Sequence, residues 1–114
     1  MILINRVQVP HYNYVGDSIL GYGAHLGAGA ITSNVKSDKS LVTIRAGEER
    51  IETGLKKCGS FIGDRVEVGC GAVLNPGTII GKCSTIYPLS MVRGYVPKET
   101  IHKQDGTVIR KSVK

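Results

Sequence analysis

The sequence predicts an all-β solenoid built from six-residue repeats, and three observations carry that prediction. Large aliphatic residues recur every six positions from residue 62 onward. The 114 residues include 15 glycines, which supply the tight turns that such short repeats need. They include one phenylalanine and no tryptophan, as expected where the interior is too narrow for aromatic rings. The length indicates one small domain.

The six-residue period is strictest after residue 61, where the chain reads IGDRVE, VGCGAV, LNPGTI, IGKCST, IYPLSM and VRGYVP. The first position is always aliphatic, and the fifth is Val66, Ala72, Thr78, Ser84, Ser90 and Val96. The stretch LGYGAH–LGAGAI, from residue 20, has the same form. This period fits neither an α-helix nor a plain amphipathic strand. It is typical of short strands and turns whose aliphatic residues face the axis of a β-helix.

The residues from about 33 to 60 break this period. The segment LVTIRAGEERIETG predicts a β-hairpin with strands LVTIRA and RIET around a turn at 47–49. We expect it to leave the solenoid after one coil and to rejoin it at about Phe61. Such an insertion is either functional or only covers an edge. The expected β-helix domain spans 1–100, and 101–114 form a basic tail with a strand or short helix that closes the last coil.

Composition narrows the class of partner. The formal net charge is +6, but no basic run is interleaved with aromatic residues, so polyphosphate-bearing small molecules are favoured over nucleic acid. Three cysteines without CxxC spacing indicate reduced thiols of a cytoplasmic protein. No segment reaches the length of a membrane span, and no membrane contact is expected.

Three histidines are candidates for chemistry. His11, in VPHYNYVGD, can serve as a general base, although a surface histidine taken alone is more often a bystander. His25 ends its hexapeptide and should face outward, and His102 lies in the tail without an expected role. Their spacing predicts no metal site, since a zinc site of this type needs three converging ligands.

The block HYNYVGD…LGAGAITSN, together with the strict hexapeptides, resembles the C-terminal acetyltransferase domain of the UDP-N-acetylglucosamine pyrophosphorylase/glucosamine-1-phosphate acetyltransferase family. The hairpin insertion and NPG are similar to its stand-alone and archaeal-type sugar-phosphate nucleotidylyltransferase relatives. The resemblance implies a left-handed parallel β-helix, a homotrimer with active sites between chains, and acetyl transfer from acetyl-CoA to an amino-sugar phosphate.

The resemblance also implies roles for single residues. His11 would be the catalytic base, and Tyr14, Asn34 and Lys39 would bind the acceptor. His25 would also contact the acceptor, where the family has an asparagine. The backbone amide of Ala28 would contact the thioester carbonyl, and Cys70 and Pro88 would contact coenzyme A in place of a serine and an alanine.

Departures from the family keep alternatives open. In the family, a lysine and an arginine that bind the phosphate lie on coils before the catalytic histidine. Only ten residues precede His11 here, so these two residues have no counterpart. Their absence favours a truncated or weakly active form of the enzyme. The first alternative is a non-catalytic trimeric β-helix module associated with a nucleotidyltransferase. A further one is an acyltransferase with another amine acceptor. Nucleotidyl transfer itself is not expected from this chain.

Overall fold

The computed structural model describes residues 2–9, 13–36, 38, 40–46 and 49–111, and within these ranges every regular element is a β-strand. The sixteen strands are β1 (Ile2–Leu3), β2 (Tyr14–Val15), β3 (Ile19–Leu20), β4 (His25–Leu26), β5 (Ile31–Thr32), β6 (Thr43–Ala46), β7 (Glu49–Glu52), β8 (Phe61–Ile62), β9 (Glu67–Val68), β10 (Val73–Leu74), β11 (Ile79–Ile80), β12 (Thr85–Ile86), β13 (Met91–Val92), β14 (Tyr95–Val96), β15 (Thr100–His102) and β16 (Val108–Arg110).

The strands form three sheets that wind around one axis. Sheet 1 has the order β1-β3-β8-β11-β14, sheet 2 the order β4-β9-β12-β15-β16, and sheet 3 the order β2-β5-β10-β13. Within these three sheets, strands of neighbouring coils pair in parallel. Only the final pair of sheet 2, β15–β16, is antiparallel. Each of the three middle coils therefore contributes one strand to each sheet, and neighbouring coils are separated by about 4.8 Å. The predicted all-β parallel β-helix with an inserted hairpin is confirmed.

The interior is the aliphatic column that the repeat predicts. Its members occupy the first hexapeptide position and are at most 3% exposed: Leu20, Leu26, Ile62, Val68, Leu74, Ile80, Ile86 and Val92. Small residues fill the bends between strands, including Ala24, Ala30, Ala72, Ser84 and Ser90. Since the apolar side chains stack from coil to coil, the column is continuous along the solenoid.

Two details of the predicted repeat are wrong. Val96 pairs with Ile80 in sheet 1 and points inward, so it is a column residue and not a fifth-position residue. The last hexapeptide is shortened, because β14 begins at Tyr95, three residues after Val92. The insertion also follows two coils instead of one, since β1 and β2 already pair with the coil above them.

The inserted hairpin is tied to the solenoid at both ends. The Cys58 amide donates to the Asn34 carbonyl (2.9 Å), and Val35 pairs with Lys57 to form an antiparallel neck. Beyond the neck, β6 and β7 pair as predicted. Val42 and Ile44 are buried against the turn at Gly77, so the hairpin folds over the corner that follows sheet 3.

The three outer faces differ in chemistry. The register places apolar side chains outward on sheet 1 (Ile2, Ile19, Phe61, Ile79, Tyr95) and on sheet 3 (Tyr14, Ile31, Val73, Met91). Sheet 2 instead carries His25, Glu67, Thr85 and Ile101. Two faces of the prism are therefore apolar and one is mixed.

Candidate functional site

The sequence-predicted site residues fall into two regions, on either edge of sheet 3. His11 and Lys39 lie outside the described residues, so their placement remains a prediction. His25, Ala28, Cys70 and Pro88 lie toward the corner that leads from sheet 2 into sheet 3. Tyr14 and Asn34 lie on sheet 3 and at the corner that follows it.

The three residues assigned to coenzyme A occupy equivalent corner positions in successive coils. The Gly71 amide donates to the Ala28 carbonyl, and the Leu89 amide donates to the Cys70 carbonyl, each at 2.9 Å. These bonds stack the corner turns of three coils, so that Ala28, Cys70 and Pro88 form a ladder along the solenoid axis. We call the depression beside this ladder the corner groove.

The corner groove has a volume of about 360 Å³. Its walls include Cys70, Tyr87 and Pro88, together with His25 and Glu67 of sheet 2. Close stacking leaves no room for side chains at its base, because a β-carbon built on Gly69 would overlap the backbone of Pro88. The groove is thus a shallow channel lined mainly by apolar groups.

The backbone amide of Ala28 is one of the donors at this corner that have no acceptor among the described residues. Ala28 is exposed at the tip of a turn that the Ala30 amide closes onto the Gly27 carbonyl (3.1 Å). Among the described residues no carbonyl accepts from the Ala28 N–H. An exposed amide of this kind can stabilise negative charge on a carbonyl oxygen.

Asn13 fixes the first coil against the same corner. Its Nδ2 donates to the carbonyls of Gly27 (2.7 Å) and Ala30 (3.1 Å), the two ends of the turn that carries Ala28. The side-chain amide therefore anchors the chain directly after the predicted base, His11, to this turn. The sequence analysis did not predict this contact.

Tyr14 and Asn34 meet over Gly16. A β-carbon built on Gly16 would lie 2.6 Å from the Tyr14 hydroxyl oxygen and 2.7 Å from Asn34 Nδ2, so a larger residue would displace these two side chains. Asn34 Nδ2 donates to the carboxylate of Asp17 at 2.7 Å. The predicted acceptor residues Tyr14 and Asn34 thus form one cluster with Asp17, whereas His25 lies apart from them on sheet 2.

A buried polar network supports this cluster, and the sequence analysis missed it. Thr32 takes an inward position where the repeat expects an aliphatic residue, and it is fully buried. Its Oγ1 accepts from the Gly16 amide (3.2 Å) and from the Ser18 hydroxyl (3.1 Å). The break in the aliphatic series after Leu20 and Leu26 was the available signal, because a buried hydroxyl needs hydrogen-bond partners.

The remaining histidine, cysteine and acidic side chains in the described ranges form no metal centre, because no three of them come together as ligands. Burial raises the pKa of the Cys58 thiol, and the nearby charge of Asp17 raises it further. Cys70 is exposed and Cys58 is buried. No helix in the described part of the chain is long and apolar enough to cross a membrane.

Curated relatives match most of the chain. It is 34% identical over 91 residues to the bifunctional sugar-1-phosphate nucleotidylyltransferase/acetyltransferase of Sulfurisphaera tokodaii, covering 80% of this chain and 23% of that protein. It is 33% identical over 111 residues to the bifunctional protein GlmU of Methanococcus vannielii, covering 96% of this chain and 27% of that protein. The chain spans about a quarter of the length of these relatives.

A solved structure shares the fold. The chain is similar to a variant of AntD, an N-acyltransferase from Bacillus cereus in complex with dTDP and coenzyme A. The TM-score is 0.61 at 14% identity, with 98% of this chain and 73% of AntD covered. No protein-family model matches the chain. The sequence matches show that the chain corresponds to a hexapeptide-repeat part of the bifunctional sugar-1-phosphate nucleotidylyltransferase/acetyltransferases, about a quarter of their length.

Proposed function

We propose that the chain transfers an acetyl group from acetyl-CoA to the amine of an amino-sugar phosphate of the glucosamine 1-phosphate type. One observation carries this proposal: Ala28, Cys70 and Pro88 form a ladder beside a continuous groove. An extended, partly apolar acyl carrier fits such a channel better than a compact ligand does. AntD, which shares the fold, holds coenzyme A.

The donor thioester would end at the turn that carries Ala28. In this arrangement the unused Ala28 N–H donates to the thioester oxygen as negative charge develops there. His11, two residues before the anchored Asn13, accepts a proton from the acceptor amine. The amine nitrogen attacks the carbonyl carbon, the new C–N bond forms and the C–S bond breaks. The coenzyme A thiolate leaves and takes up a proton, which His11 can return.

The acceptor site in this proposal is shared between copies of the chain. Tyr14 and Asn34 present a hydroxyl and an amide at one edge of sheet 3, and Lys39 would add a cation from the insertion. His25 is on sheet 2 and requires a neighbouring copy to reach the same acceptor. The apolar outer faces of sheets 1 and 3 support a homotrimer, because burial of these side chains would stabilise the contact.

The separation of His25 from Tyr14 and Asn34 also favours a second candidate. If the copies do not assemble with His25 beside that cluster, the acceptor site stays incomplete. The chain would then be a non-catalytic β-helix module that accompanies a nucleotidyltransferase.

The experiment is acetyl transfer from acetyl-CoA to glucosamine 1-phosphate, with the product detected by mass spectrometry because three cysteines would react with a thiol dye. We expect turnover that falls by about 10²- to 10⁴-fold in His11→Ala, with coenzyme A affinity and melting temperature unchanged. Equal turnover in the variant would refute the role of His11. Coenzyme A binding without turnover would support the non-catalytic module, and absence of both would refute the donor site.

A further inference from the structure

A second depression lies under the inserted hairpin, and nothing in the proposed acetyl transfer uses it. It has a volume of about 480 Å³ and is bounded by the neck of the insertion, the strand β6 and the turns that follow β10 and β13. Lys36, Arg45 and Arg93 line it, with Ser33 and Thr43 between them. We call it the hairpin cleft.

The hairpin cleft has an excess of positive charge. Among its described lining residues the one acidic side chain is Asp38, and that carboxylate accepts hydrogen bonds from the Ser40 hydroxyl (2.7 Å) and the Ser40 amide (2.9 Å). These hydrogen bonds lower the pKa of Asp38, and the charge of Lys36 lowers it further. In the described part of the chain neither Arg45 nor Arg93 has a carboxylate partner.

The register of the hairpin places two more charged side chains on the face that carries Arg45. Arg50 is directly opposite Arg45 in the β6–β7 pairing, and Glu52, opposite Thr43, is on the same face of the ribbon. Like charges at opposed positions destabilise a strand pair, and the Glu52 carboxylate offsets part of this repulsion. Arg50 is not among the described lining residues, so the cations of the cleft are Lys36, Arg45 and Arg93.

The cleft is held in shape before any ligand binds. Val42 and Ile44, which flank Thr43 in the sequence, are buried, and a β-carbon built on Gly77 would lie 3.1 Å from Val42 Cγ1 and 3.6 Å from Ile44 Cγ1. Arg93 follows directly on β13 of the rigid solenoid. The cations are thus carried by two packed elements, which lowers the ordering cost of binding.

We propose that the hairpin cleft binds the phosphate group of a phosphorylated small molecule. Guanidinium groups match phosphate oxygens with paired donors, and the hydroxyls of Ser33 and Thr43 supply further donors. The cleft volume leaves room for a group attached to the phosphate, so the ligand is a phosphoester and not the free ion. This site is separate from the corner groove and does not depend on acetyl transfer.

Calorimetry with the full chain tests the proposal, using inorganic phosphate, glucosamine 1-phosphate, glucosamine and coenzyme A as probes. We expect glucosamine 1-phosphate to bind more tightly than inorganic phosphate, and glucosamine not to bind in the cleft. Arg93→Gln and Arg45→Gln should each weaken phosphate binding by about tenfold, and Arg45→Lys by less. Lys82→Gln, which removes the same charge from an exposed position on another corner, should change it less than twofold.

The probes also identify the source of the phosphate. Loss of glucosamine 1-phosphate affinity alone in Arg93→Gln assigns the cleft to a sugar phosphate, and loss of coenzyme A affinity alone assigns it to the donor's phosphates. Equal weakening in Lys82→Gln and Arg93→Gln would overturn the proposal, since binding would then follow net charge. Unchanged affinities in folded Arg45→Gln and Arg93→Gln would overturn it as well.

Discussion

The corner groove and the hairpin cleft lie on the two edges of sheet 3 and are built in opposite ways. The groove is a product of the repeat, because equivalent positions in successive coils supply Ala28, Cys70 and Pro88. The cleft is a product of an interruption, because an inserted hairpin brings Arg45 over a solenoid residue, Arg93. The first surface is mainly apolar and the second is cationic. Regular stacking provides a channel, and the insertion provides charge.

The largest effect is expected when the corner groove is filled, which tests whether the groove and the hairpin cleft are separate sites. Cys70→Trp places an indole in the channel beside Pro88, and we expect coenzyme A affinity to fall by about 100-fold. Phosphate binding in the hairpin cleft should stay unchanged, as measured by calorimetry. Cys70→Ser is the matched control, because a hydroxyl of similar size should keep affinity within about threefold. Full coenzyme A binding by Cys70→Trp would place the donor elsewhere.

A smaller effect is expected at the acceptor cluster. In Gly16→Ala the new β-carbon displaces the Tyr14 hydroxyl and the Asn34 amide, both of which are ends of flexible side chains. We expect kcat/KM for the amino-sugar phosphate to drop about tenfold, while coenzyme A affinity and fold remain intact. Steady-state kinetics measure this, with circular dichroism as the check on folding. An unchanged kcat/KM would show that the cluster does not touch the acceptor.

Assembly can be tested on the outer face of sheet 3. Met91 is 63% exposed in the single chain, so Met91→Glu should alter the stability of an isolated copy by less than about 0.5 kcal/mol. If sheet 3 is buried between copies, the same charge should shift the chain from trimer toward monomer in light scattering. Lys82→Glu serves as the control. A wild-type monomer would remove the basis for the shared acceptor site.

The smallest effect concerns the end of the solenoid. His102 occupies an inward position with 8% exposure, and its Nδ1 has no hydrogen-bond partner among the residues that the structure describes. Because a buried unpaired polar atom is costly, we expect His102→Leu to raise the free energy of unfolding by about 1 kcal/mol. Chemical denaturation measures the change. A loss of stability would mean that the imidazole makes a favourable interaction at this position.

The difference between the corner groove, built by the repeat, and the hairpin cleft, built by the insertion, also explains what the sequence could predict. The six-residue period predicted the solenoid and its aliphatic column, because each coil repeats the packing of the one before it, whereas Ala28, Cys70 and Pro88 were assigned through the family resemblance. Val96 was misassigned because the last repeat is two residues shorter than the others. A strict six-residue period assumes that every repeat has the same length. The cationic cleft was not predicted, since Arg45 and Arg93 are 48 positions apart and meet only when the hairpin folds back.

The hydrogen-bond network around Thr32 was predictable only in part. Its inward threonine was visible as a break in the aliphatic series, but its partners at Gly16 and Ser18 come from the previous coil. The position of Tyr14 beside Asn34 came from the family resemblance, and the structure shows that the two meet over Gly16.

The central claim is that the corner groove holds the acyl donor, and alkylation of the cysteines tests it most directly. Cys70 is exposed in the groove, Cys83 lies on another corner, and Cys58 is buried with a raised pKa, so its thiolate is scarce and it should react slowest. With mass-spectrometric readout, we predict that coenzyme A slows alkylation of Cys70 at least about tenfold and leaves Cys83 unchanged. Equal rates at Cys70 with and without saturating coenzyme A would contradict the account.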